Sequence, residues 1–104
     1  MQRPPVEMKT PNEEKDYAID WSPVIAADVT ISSSDWEVVG AGSPADLDIV
    51  TDTIDGQNAV VRLSGGTLDE DYTVVNTITT SAGETLDDAI EVRVRSAAEK
   101  AGIY

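Results

Sequence analysis

The chain has 104 residues, 40% of them hydrophobic, and sets 7 Lys and Arg against 20 Asp and Glu for a formal net charge of -13. That size allows one domain with a modest core, and the apolar content is that of a globular protein rather than a disordered one. With no Cys and no His, disulfides, thiolate metal sites and every Ser–His or Cys–His nucleophile pair are excluded, and so strong an acidic balance opposes binding to nucleic acid or anionic lipid.

Residues 1–15, "MQRPPVEMKTPNEEK", form the first unit. The segment lacks the apolar stretch of a signal peptide, and no run in the chain approaches the ~20 apolar residues of a membrane span. Pro4, Pro5 and Pro11 donate no amide hydrogen bond and disfavour helix in their neighbours, so an extended arm is expected instead of a packed element. Two roles stand open for it: a plain tail, or an arm that orders against a neighbouring subunit through Arg3, Pro4, Pro5, Val6, Met8 and Pro11. In the second, Met1 to Glu14 is mobile in solution and fixed only in an assembly. The chain opens on Met1 and is expected to be whole.

From residue 16 to 96 the pattern becomes short alternating runs, as in a β-sandwich or barrel. "DYAIDW" sets Tyr17, Ile19 and Trp21 on one face of an extended chain. "DVTIS" pairs Val29 with Ile31, and "DWEVV" pairs Trp36 with Val38. Ser43 and Pro44 break the chain before "LDIVT". The turn signal "DGQN" follows, with Gly56 free to take positive φ. "AVVRL" then resumes alternation with Ala59, Val61 and Leu63. In "DYTVVNTITT", Tyr72, Val74, Asn76 and Ile78 share a face, the loop "SAGET" turns the chain, and Val92 lies with Ile90 and Val94 on the return strand. Residues 97–104 are a C-terminal tail, within which "SAAEKAG" has the makings of one helical turn.

Tyr72 follows a Gly-rich turn and starts the penultimate strand, which is the position of a tyrosine corner. Its ring then packs under the sheets and its hydroxyl caps backbone a few residues upstream. With about seven strands, the predicted fold is all-β: an immunoglobulin-like antiparallel sandwich with an extended N-terminal arm. Its expected core includes Tyr17, Ile19, Trp21, Trp36, Val38, Leu63, Tyr72, Val74, Ile78 and Val92. Asn76 is a polar amide on the apolar face, and needs hydrogen bonds if buried, or a bulge that turns it outward.

"DYAIDWS" near the start and "LSGGT...YTVVNTITTSAGET...IEVRVR" at the end resemble a family of small virion structural proteins of tailed bacteriophages. Members pair "DYxxDWS" with "WLSGGTxGTxYxVTNxITTAxGRxxxxSxxLRVR". The resemblance runs from Asp16 to Arg95, with the middle from Gly40 to Asn58 alike only in character. Two departures stand out: Val61-Arg62-Leu63 where the family often has an aromatic, and the acidic Leu68 to Asp71 where it often has Gly-Thr. The resemblance implies a non-enzymatic adaptor among neck, tail or fiber components, in many copies per particle, without cofactor, metal, nucleic acid or membrane. It implies a virion protein assembled in the host cytoplasm.

Other roles compete with that one. A head decoration or cement protein would share the fold, as would a carbohydrate- or calcium-binding adhesion module. Trp21 and Trp36 are candidates for a sugar-stacking platform, though their β-branched neighbours favour core positions; for Trp21, at a strand end before Ser22 and Pro23, partial exposure at an interface is the alternative. Asp69, Glu70 and Asp71 fall in one turn and Asp87 and Asp88 lie near a hairpin, but no loop shows the "DxDxDG" alternation of an EF-hand, and no cleft of set spacing is legible for acid–base work.

Overall fold

Alternating side chains oblige an extended chain to bury one face and wet the other, and two such sheets satisfy each other by packing face to face. The computed structural model describes residues 5–40 and 46–102. It contains β1 (Val6–Lys9), β2 (Lys15–Asp20), β3 (Ile31–Val39), β4 (Leu47–Asp55), β5 (Asn58–Gly65), β6 (Asp71–Thr80), β7 (Thr85–Val94) and a single helical turn, α1 (Ala97–Lys100). One sheet has the order β1-β7-β6-β3 and the other β2-β5-β4. That is the arrangement of an immunoglobulin-type sandwich whose first strand lies on the sheet of the last.

Pairing is antiparallel except between β1 and β7, which run parallel. The β6–β7 hairpin is the longest ladder, with Tyr72 opposite Val92 and Ile78 opposite Leu86. Register shifts interrupt β3 between Ile31 and Ser33 and β4 between Ile49 and Thr51. Both lie on edge strands, where an extra residue twists the edge.

Between the sheets, Tyr17, Ile19, Trp21, Leu63, Tyr72, Val74, Ile78 and Val92 are buried, together with Ile25, Ile31, Leu47, Ala59, Val61, Ile90 and Val94. Trp36 and Val38 are only half-buried against this cluster. The reason is their strand: β3 is an edge, so among the described residues no neighbouring strand covers its far side. Trp21 is 2% exposed, a core residue, and the alternative of partial exposure at the end of its strand does not occur. Residues Trp21 to Ile25 turn inward there, with the amides of Val24 and Ile25 donating to the Trp21 carbonyl at 2.9 and 3.1 Å.

The N-terminal segment also differs from expectation. Val6–Lys9 is a strand of the sheet and not an unpaired arm, with the Glu91 amide donating to the Pro5 carbonyl and the Arg95 amide to the Lys9 carbonyl. Its prolines permit this because they flank the strand instead of interrupting it, and an edge strand needs only one row of amides. At the other terminus Ser96 caps α1, its hydroxyl accepting from the Glu99 amide at 3.2 Å.

Candidate functional site

The tyrosine corner anchors one end of the sandwich. The Thr67 amide donates to the Tyr72 hydroxyl at 2.8 Å, five residues upstream as the sequence predicts. Gly66 makes this approach possible: its φ is +96°, and a Cβ there would lie 2.8 Å from Val94 Cγ2. Gly65 has φ +75°, and a Cβ on it would lie 2.8 Å from the Asp46 carbonyl. The "SGGT" turn is therefore a steric requirement for seating the ring.

Lys9 reaches the same corner from β1. Although charged, it is wholly buried, and its ammonium donates to the carbonyls of Gly65 at 2.6 Å and Thr10 at 2.8 Å. Burial pushes its pKa down, Glu13 opposes that shift and Lys100 adds to it. Glu13 accepts from the Lys100 ammonium at 2.6 Å and from the Thr10 amide at 2.9 Å. These bonds hold its carboxyl below the usual range, the Lys100 bond contributing most. Nothing in the sequence marks Lys9 as buried, and its alternation with apolar Val6 and Met8 points it the other way.

The acidic turn after Gly66 is tied into the molecule by one ion pair and by its backbone. Asp71 pairs with the Arg95 guanidinium at 2.7 Å, and the amide of Asp69 donates to the Val94 carbonyl at 2.8 Å. Asp69 itself takes φ 69°, a conformation Asp tolerates better than most residues. Among the described residues no group of three acidic side chains is gathered as a metal site. Asp87 accepts from the Thr77 hydroxyl across the hairpin.

Asn76 is buried and not turned outward. It accepts from Trp21 Nε1 at 3.0 Å and donates to Ser34 Oγ at 2.9 Å and to the Asp35 carbonyl at 3.0 Å. The amide thus binds the end of β2 to β6 and β3, and it occupies the indole N–H of Trp21. With Trp21 sealed and Trp36 half-buried, the two rings do not make a paired stacking surface. Two buried polar atoms have no protein partner among the described residues, Tyr17 Oη and Trp36 Nε1.

Of the arm residues named from sequence, Arg3 and Pro4 lie outside the described residues. Pro5 and Val6 are exposed, while Met8 and Pro11 are half-buried. Val6 and Met8 share the face of β1 opposite to Lys9.

The charges divide the surface. Every described Lys and Arg is engaged within the chain: Lys9 on carbonyls, Lys15 over the Tyr17 ring, Arg62 on Asp16 and Glu14, Arg93 on Glu91, Arg95 on Asp71, and Lys100 on Glu13. On the β3 and β4 edges, Asp35, Glu37, Asp48, Asp52 and Asp55 are exposed and form no ion pair among the described residues.

Fold and surface define an immunoglobulin-like β-sandwich module with open strand edges and an acidic exterior. The family model described as podophage GP4 fiber-tail adaptor protein gp77 matches residues 9–93. That span covers most of the chain and every strand except the start of β1 and the end of β7, so the protein belongs to this family of phage fiber-tail adaptors. No curated protein matches it.

Proposed function

We propose that this chain is a non-enzymatic structural adaptor of a tailed phage particle that joins neck, tail or fiber components through its loops, strand edges and N-terminal segment. The observation that carries this is the family match across the sandwich, residues 9–93. The charge of the molecule supports it. With its described cations held internally and carboxylates spread over the exterior, the protein suits a basic protein partner and disfavours nucleic acid and anionic membrane. In this role the chain is present in many copies per particle and is assembled into the virion in the host cytoplasm. The N-terminal segment contributes through Arg3, Pro4, Pro5, Val6, Met8 and Pro11, with Val6 and Met8 presented from β1.

The test is genetic and structural. Particles grown with the gene deleted are purified, and their fiber content is measured by quantitative mass spectrometry and electron microscopy. An adaptor predicts particles with heads and depleted fibers, restored when the chain is supplied. A full complement of fibers in its absence overturns the role.

A further inference from the structure

We propose, resting on the adaptor role above, that the free edge of β3 is the docking site for an extended Lys- or Arg-bearing segment of another virion protein. That segment adds to the four-stranded sheet as a further strand. An exposed edge presents unpaired N–H and C=O groups that template another strand, and proteins blunt such edges with Pro, Lys, bulges or short length.

The four edges of this sandwich are blunted unequally. β1 is four residues long and is entered through Pro5. β2 is six residues long, begins with Lys15 and is followed closely by Pro23. β4 is broken near its middle by the register shift between Ile49 and Thr51. In β3 the shift is confined to the start, between Ile31 and Ser33, so Ser33–Val39 runs in unbroken register against Thr79–Thr73. This stretch contains no Pro and no Lys, and among the described residues its backbone pairs with β6 alone.

Side chains specify the occupant. Ser34, Trp36 and Val38 line the inner face of β3 half-buried, and a strand laid beside them covers what the edge leaves open. On the outer face Asp35 and Glu37 are exposed, and on β4, which packs beside β3 from the other sheet, exposed Asp52 lies opposite buried Val61 and so shares the inward face at this end of the sandwich. None of these carboxylates has a cation among the described residues. A second copy of this chain pairing through β3 would bring Asp35 and Glu37 near identical charges, so self-pairing is opposed. A segment with Lys or Arg on one face and β-branched residues on the other meets both rows.

The experiment supplies full-length chain to particles grown without it and measures incorporation. The double variant Asp35→Lys with Glu37→Lys is compared with an equally charged control, Glu84→Lys with Asp88→Lys on the β6–β7 hairpin, after melting curves establish that both fold. The expected result is an incorporation loss of about tenfold or more for the β3 variant and little change for the control. In wild-type particles, hydrogen exchange is expected to slow across Ser33–Val39 relative to the free chain, a readout that stands even if the β3 variant fails to fold. Equal incorporation of the two variants, or unchanged exchange across Ser33–Val39 on incorporation, overturns the β3 site and leaves the adaptor role standing. Wild-type chain that never enters particles overturns the role itself, and the β3 proposal with it.

Discussion

Two tyrosines in this small core are expected to respond with opposite signs to the same substitution. Tyr17 is 5% exposed, and its hydroxyl is sealed from solvent with no protein partner among the described residues. A buried polar group left unbonded costs about 1–3 kcal/mol. Removing the oxygen while keeping the ring, as in Tyr17→Phe, is therefore expected to stabilise the fold by about 1 kcal/mol at pH 7, since neighbours relax into only part of the freed space. The ring still stands under Lys15, whose ammonium lies 5.5 Å from its centroid. Alkaline titration sharpens the test. Burial raises the Tyr17 pKa from 10.0 to about 12, with Glu13 and Glu7 adding to the shift. The folded state thus holds its phenolic proton longer than the unfolded state does. The associated stability is fully present below pH 10 and is lost as pH rises from about 10 to about 12. Urea denaturation of parent and variant at pH 7, 9, 10 and 11 measures the difference, with the parent falling further behind at the alkaline end. A variant clearly less stable than the parent at pH 7, or a gap that does not widen above pH 10, would refute the unbonded hydroxyl.

Tyr72→Phe is expected to cost about 1 kcal/mol, because the Thr67 amide loses its acceptor, and the same urea titration reads it. Trp36→Ala is expected to cost about 2 kcal/mol, less than the ~3–5 for a fully buried aromatic, because β3 leaves the indole half-buried; a melt indistinguishable from the parent would place the ring on the surface. Glu13→Gln breaks the charge pair with Lys100 and is expected to cost about 0.5–1 kcal/mol at neutral pH. Since the Glu13 pKa is lowered by folding, that contribution is present above the unfolded carboxylate value of 4.5 and disappears as pH falls through the lower folded value; an undiminished gap at pH 2 would contradict it.

Strands whose alternation is anchored by large apolar residues were legible without coordinates. Tyr17 and Ile19 on β2, Leu63 on β5 and Tyr72 to Ile78 on β6 fix both face and phase, because a one-residue slip would expose every one of them. The corner was legible for a related reason, since Gly65 and Gly66 before Tyr72 permit a backbone that other residues resist. What stayed hidden depends on the neighbour across the fold. Trp36 and Trp21 have similar local patterns, yet β3 is an edge and the end of β2 folds under β6, so one indole is half-open and the other is closed over Asn76. β1 was misjudged because proline content speaks against helix and central strands while leaving a four-residue edge strand open.

Lys9 shows why that short strand can hold its place. Four residues of parallel pairing carry little register information, and neither Val6 nor Met8 is sealed in the core. A slip of two residues would keep the same faces in and out while moving the Lys9 side chain about 6–7 Å along the sheet. Its ammonium would then leave the Gly65 carbonyl and keep only the Thr10 carbonyl, which moves with it. Desolvating a charge is costly, as the lowered Lys9 pKa records, and an apolar residue at this position would spare that cost. It would also make the registers nearly equivalent. The buried charge trades stability for a single seat, and that seat joins β1 to the turn that holds Tyr72. The Glu13–Lys100 pair closes the same end by linking the β1–β2 loop to α1. Among the described residues the cations are thus taken up in internal tasks, and this is what leaves the β3 and β4 edges to carboxylates there.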